Sequence, residues 1–97
     1  MTFYDIKSRI LPVLKRQGVL KAALFGSFAR NAAGKNSDVD ILVKLEKSKS
    51  LLDLIALRLE LREALRMNVD VLTYDSINHL LKDRILKEQR LIYEKRS

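Results

Sequence analysis

Residues 22–43 read AALFGSFARNAAGKNSDVDILV, and the fold turns on how this stretch is parsed. Residues 19–25, VLKAALF, make a short apolar run of strand length. Gly26-Ser27 punctuates it, SFAR reads as the first turn of a short helix, and NAAGKNS supplies the Asn and Gly breakers of a loop. A second strand follows in DVDILVKL, residues 38–45. Alternate strand residues share a face, so Val39, Ile41, Val43 and Leu45 line one side while Asp38, Asp40, Leu42 and Lys44 line the other. Two carboxylates therefore project together from a run that otherwise reads as sheet core. Like charges so close push one another toward protonation unless something positive intervenes.

Working outward toward the N-terminus, Thr2 and Asp5 have the spacing of a capping box. They open a helix whose apolar residues Phe3, Ile6, Ile10, Val13 and Leu14 recur at helical intervals, with Gly18 as its stop and Pro12 expected to kink or divide it. Toward the C-terminus, Ser50 and Asp53 form another capping-box pair, and LLDLIALRLELREALR, residues 51–66, is the strongest helical pattern in the chain. It carries two apolar stripes. Leu54, Leu57, Leu61, Ala64 and Leu65 suffice for a buried face, and Leu52, Ile55 and Leu59 begin a second that suits a protein interface. Arg58 falls within the first stripe, placed to snorkel or to reach a nucleotide or partner.

A third strand, NVDVLTYD at residues 68–75, alternates Val69, Val71 and Thr73 against Asn68, Asp70 and Leu72, which puts Asp70 on the polar-bearing face. The tail SINHLLKDRILKEQR is helical in pattern, with a break expected near Lys82, and LIYEK ends the chain as either helix or short edge strand. The order helix, strand, short helix, strand, helix, strand, helix predicts one α/β (α+β) domain over residues 1–97, a small mixed sheet covered by helices. Asp38, Asp40 and Asp70 are then expected to converge at one end of that sheet.

Composition narrows the function. The formal net charge of +7 favours anionic partners, whether nucleotides, nucleic acid or an acidic protein. The basic excess lies largely in KDRILKEQRLIYEKRS without interleaved aromatics, which disfavours a nucleic-acid site. There is no cysteine, no apolar run approaching the roughly 18 residues of a membrane span, and no signal-like N-terminus, so a cytoplasmic protein is expected. At 97 residues the core is small, which leaves room for a partner chain, of its own kind or another, to contribute stability. The single histidine, His79, sits in no motif and is read as structural or surface, and Tyr4, Tyr74 and Tyr93 as core or rim residues.

Three aspartates brought together call for a divalent cation, and Mg²⁺ characteristically joins carboxylate oxygens to substrate phosphates. The Gly26-Ser27 turn supplies a complementary element, because glycine permits close backbone approach and the N–H groups opening SFAR face an anion. Arg30, one turn on, adds a charge-assisted phosphate contact. This combination suits nucleotidyl transfer, in which a hydroxyl attacks the α-phosphate of a nucleoside triphosphate and pyrophosphate leaves.

The ordered set of Gly26-Ser27, ten intervening residues, Asp38-Val39-Asp40, and Asp70 in VDVLT after a helix resembles the minimal nucleotidyltransferase family of the polymerase β superfamily. The similarity runs from ILPVLKRQGVLKAALFGSFAR to ILKEQRLIYE, nearly the whole chain. It implies a polymerase β-like nucleotidyltransferase fold and an antitoxin, encoded beside a HEPN-domain toxin, that transfers AMP from ATP to a toxin tyrosine. It further implies that Asp38 and Asp40 bind one or two Mg²⁺ ions, that Asp70 helps bind metal and activates the hydroxyl, and that Gly26 and Ser27 form the triphosphate turn. One departure is Asn31, where relatives often have glycine; Asn tolerates left-handed geometry. Two other functions compete: a non-catalytic module that masks its partner, and a catalytic subunit modifying a small molecule. The second would need another subunit to hold its substrate.

Overall fold

The computed structural model describes residues 2–26 and 38–95. Helix α1, Phe3–Arg16, leads into strand β1, Lys21–Phe25. Strand β2, Val39–Lys44, helix α2, Leu51–Leu65, and strand β3, Val69–Thr73, follow. A single 3₁₀ turn, Tyr74–Ser76, then leads to helix α3, His79–Glu88, and strand β4, Arg90–Glu94.

Both expected capping boxes form. In α1 the Thr2 amide donates to Asp5 Oδ2 at 2.9 Å and the Asp5 amide donates to Thr2 Oγ1 at 3.2 Å. In α2 the Ser50 amide donates to Asp53 Oδ2 at 2.7 Å and the Asp53 amide to Ser50 Oγ at 3.4 Å. These bonds stabilise the ionised carboxylates and hold both below the usual aspartate range, the backbone donor being the larger cause in each. Helix α1 stops at Gln17 and Gly18, whose φ of +70° is the left-handed geometry that a helix end requires and glycine adopts freely.

Pro12 does not divide α1, which runs unbroken from Phe3 to Arg16; packing of Ile6, Ile10, Val13 and Leu14 on the core holds the turns on either side. Nor does α3 break near Lys82. The alternative left open for LIYEK resolves as strand β4. The short helix expected at SFAR, with Ser27, Arg30 and Asn31, lies outside the described residues.

The strands form one sheet in the order β3-β2-β1-β4. β1 pairs antiparallel with β2 and β4, whereas β2 and β3 are parallel. A parallel pair cannot be closed by a hairpin, and α2 is the crossover that joins it. Val39, Ile41 and Val43 of β2, Ala22 and Leu24 of β1, and Val69 of β3 are buried against Ile6, Ile10 and Leu14 of α1 and Leu57, Leu61 and Leu65 of α2. Each such large apolar side chain contributes about 1.5–3 kcal/mol over its exposed state. Leu42 points to the opposite face of β2, outside the cluster formed with α1 and α2, and is also fully buried. Arg16 of α1 bonds Glu60 of α2 at 2.5 Å, and Gln17 Nε2 donates to the same carboxylate at 2.8 Å, fixing the two helices to each other. Among the described residues no helix is long and apolar enough to cross a membrane.

Candidate active site

Register assembles the site. Antiparallel pairing sets Phe25, the last residue of β1, opposite Asp40 near the start of β2, and parallel pairing sets Asp40 opposite Asp70 near the start of β3. Phe25, Asp40 and Asp70 therefore form one row across three adjacent strands, with neighbouring strands about 4.8 Å apart. Asp38 stands two residues before Asp40 and is exposed. The alternation of β3 is as expected, with Val69 buried and Asp70 exposed.

Gly26 continues directly from this row. Its φ is +72°, and a Cβ at this position would lie 3.3 Å from Asp40 Cγ and closer still to Asp40 Oδ2. The turn and the carboxylate are thus packed against each other with no room for a side chain. Next to Gly26 lies a cavity of about 290 Å³ walled by Phe25, Leu81, Ile85, Arg84 and Glu88. The Leu81, Arg84 and Ile85 wall comes from α3, which carried no motif in the sequence.

Arg58 is the other residue that local pattern alone did not assign. From α2 its Nε donates to the Val69 carbonyl at 3.0 Å, and a terminal nitrogen lies 3.9 Å from Asp70 Oδ1. Its head thus turns to the start of β3, beside the carboxylate row. Both members of this ion pair are about half exposed, at 49% and 56%, so its energetic contribution is small and its main effect is on where Asp70 points.

Asp40 and Asp70 stand side by side at one end of the sheet, with Asp38 two residues before Asp40, and among the described residues no three acidic, histidine or cysteine side chains form a ready metal cage. One of these carboxylates, Asp70, already has a cation beside it in Arg58. The donor chemistry nonetheless fits Mg²⁺. That ion takes hard oxygens, keeps much of its coordination for water and phosphate, and needs one or two carboxylates from the protein. The glycine packed against Asp40 leaves the backbone accessible beside those carboxylates, where a triphosphate could approach.

The family model described as polymerase beta, nucleotidyltransferase, matches residues 8–97. The chain belongs to this nucleotidyltransferase family. It is 54% identical over 88 residues to a Methanocaldococcus jannaschii protein provisionally named protein adenylyltransferase MJ0435, covering 91% of this chain and 95% of that one. It is 38% identical over 74 residues to the protein adenylyltransferase MntA of Thermococcus cleftensis, covering 76% and 75% of the two chains. Among solved structures, a provisionally named minimal nucleotidyltransferase superposes with a TM-score of 0.77 at 32% identity, covering 87% of this chain and 86% of that one. The structure of a tri-AMPylated Shewanella oneidensis HEPN toxin in complex with MNT antitoxin matches at a TM-score of 0.71 and 20% identity, covering 93% of this chain and 71% of that one, a likeness of fold. The polymerase β-like nucleotidyltransferase fold expected from the Gly-Ser turn and the aspartates is the one this chain adopts.

Proposed function

We propose that this nucleotidyltransferase is a Mg²⁺-dependent protein adenylyltransferase that moves AMP from ATP to a tyrosine hydroxyl of a HEPN-domain partner and thereby acts as its antitoxin. The observation that carries the reading is the row Phe25–Asp40–Asp70 with Gly26 packed on Asp40. The relatives named protein adenylyltransferase, one of them 54% identical, support the AMP-transfer chemistry, and the AMPylated HEPN toxin held by an MNT antitoxin supports the class of acceptor. The lack of cysteine accords with a cytoplasmic setting.

In this reading Asp38, Asp40 and Asp70 hold the cation, and Gly26 and Ser27 line the triphosphate, with Arg30 adding charge to a phosphate. Bound Mg²⁺ would supply Lewis-acid polarisation of the phosphoryl oxygens. The tyrosine oxygen bonds to the α-phosphorus as the bond to the α,β-bridging oxygen breaks, and pyrophosphate departs with that electron pair. A tyrosine is almost wholly protonated near neutrality, so its proton must go to a base, a role assigned to Asp70. Asp70 is exposed at the start of an edge strand, which leaves an incoming hydroxyl access to it.

The test is to incubate the protein with α-labelled ATP, Mg²⁺ and the HEPN protein encoded beside its gene. Label should appear on a tyrosine of the partner, and Asp38→Ala with Asp40→Ala should remove it. Absence of label with the wild-type pair would refute the assignment. A second reading, masking of the partner without transfer, draws on the exposed Leu52, Ile55 and Leu59 of α2. An Asp40→Asn protein that protects cells as well as wild type would favour it.

A further inference from the structure

Opposite the carboxylates, the other end of the sheet opens into a groove of about 880 Å³. Its lining draws six lysines from separate parts of the chain: Lys21, Lys44, Lys47, Lys49, Lys82 and Lys95. Three carboxylates, Glu46, Asp75 and Glu94, only partly balance them. Lys21 is engaged, lying 4.0 Å from Glu94 and over the Tyr74 ring at 5.2 Å. Among the described residues no carboxylate lies within salt-bridge distance of the other five lysines, and only Lys49 acts on one from farther off, Asp53. The lining is also apolar, with Val43, Leu45, Leu54 and Leu86 contributing. At its edge Leu51 is 70% exposed, and it continues along α2 into Leu52 at 76%, Ile55 at 46% and Leu59 at 56%.

We infer that this groove and the adjoining ridge of α2 dock an acidic amphipathic helix of the protein that accepts AMP. The inference rests on the reading of the chain as a protein adenylyltransferase and names how its acceptor is held. The lysines complement acidic flanks, while the leucines complement the apolar stripe such a helix presents. A groove this open, at the end of the sheet, admits a helix about 10 Å across rather than enclosing a small ligand. Nucleic acid fits less well. Tyr74 donates its hydroxyl to Gln89 at 2.8 Å and is half-buried, so the groove offers no free aromatic platform for a base, and a phosphate backbone would leave the leucines uncovered. Along β2 the groove at Lys44 lies four residues, or roughly 13 Å, from Asp40. A partner gripped there leaves the carboxylate row open to receive its hydroxyl, and the α2 ridge bridges the two ends.

The experiment uses the full chain and the HEPN protein encoded beside it. A zero-length carbodiimide, which joins lysines to carboxylates in contact, is applied to the complex, and links are located by mass spectrometry. In parallel, the affinity is measured by calorimetry at low and moderate salt for wild type, Lys44→Glu/Lys47→Glu and Leu51→Glu. These substitutions lie on exposed positions, and unchanged ATP binding by each variant checks that the site remains intact. We expect links from Lys44, Lys47, Lys49, Lys82 or Lys95 to one helix of the partner. Affinity should fall about tenfold or more in each variant, and the salt dependence should flatten in the lysine pair. If wild type transfers AMP but the links avoid the groove and the variants bind as wild type does, the docking inference is overturned while the adenylyltransferase reading stands. Loss of single-stranded RNA binding without loss of partner affinity would also overturn it. If the wild-type pair neither associates nor transfers AMP, the functional reading fails and the docking inference falls with it.

Discussion

The two ends of one four-stranded sheet carry opposite charge. At one end the finish of β1 meets the starts of β2 and β3, bringing Gly26, Asp40 and Asp70 into adjacent positions. At the other, the start of β1 meets the finishes of β2 and β3: Lys21 stands opposite Lys44, and Thr73 opposite Val43 one residue before it. The same pairings that concentrate carboxylates at the first end therefore leave lysines at the second. The two ends also differ at one contact, that of Gly26 with Asp40. The carboxylate end permits no side chain at residue 26, whereas the lysine end is an open groove whose edge includes an exposed Leu51. Tight packing suits positioning of reacting atoms, and open packing suits a large partner.

The comparison breaks most severely at Asp40. Asp40→Asn keeps the shape but removes a charge that the proposed reaction needs, so AMP transfer should fall on the order of a hundredfold or more while thermal unfolding shows the fold retained. Transfer near wild-type rates would mean that the carboxylate row is not the reacting centre. Gly26→Ala should damage both structure and chemistry. The left-handed φ alone makes it unfavourable by about 1–2 kcal/mol in urea unfolding. Displacement of Asp40 by the new methyl should lower transfer by between about tenfold and a hundredfold.

At the lysine end, Tyr74→Phe removes the hydroxyl that donates to Gln89 and should cost about 1 kcal/mol of stability with AMP transfer into partner unaffected in its chemical step. Burial, then the nearby Glu94 carboxylate, raises the Tyr74 pKa. Its folded-state value exceeds the unfolded one, so its contribution is complete below the unfolded value and is lost as pH rises through the folded value. The alkaline limb of a stability profile should therefore soften in Tyr74→Phe. The smallest effect belongs to the capping boxes. Asp5 and Asp53 have depressed folded values, so their contributions are present above the unfolded carboxylate range and are lost as pH falls through the folded values. Melting temperature should decline on acidification, and less steeply in Asp53→Asn.

Much of this was legible from local pattern. Thr2 with Asp5 and Ser50 with Asp53 are short-range hydrogen-bonding pairs, and strand alternation separated Val69 from Asp70 without knowledge of any neighbour. Of the two outcomes expected at Pro12, a kink or a division, division does not occur, because burial of the flanking residues keeps the helix whole where propensity favours a break. Arg58 was ambiguous for a related reason: its helical position was clear, but its head is directed by the Val69 carbonyl and Asp70, which belong to the next strand. The apolar and basic wall from α3 beside Gly26 had no sequence signal, because its residues gain significance only by packing near the turn.

The amino-acid order by itself determined helices α1 and α2 with their capping boxes, strands β1, β2 and β3, and the alternation that separates Val69 from Asp70, since these depend on contacts a few residues apart. Tertiary structure decided that β2 and β3 run parallel. Had they paired antiparallel, the starts of the two strands would lie at opposite ends, and Asp70 could not stand beside Asp40. It also decided that lysines distant in the chain share one groove, because only the sheet brings the ends of its strands together.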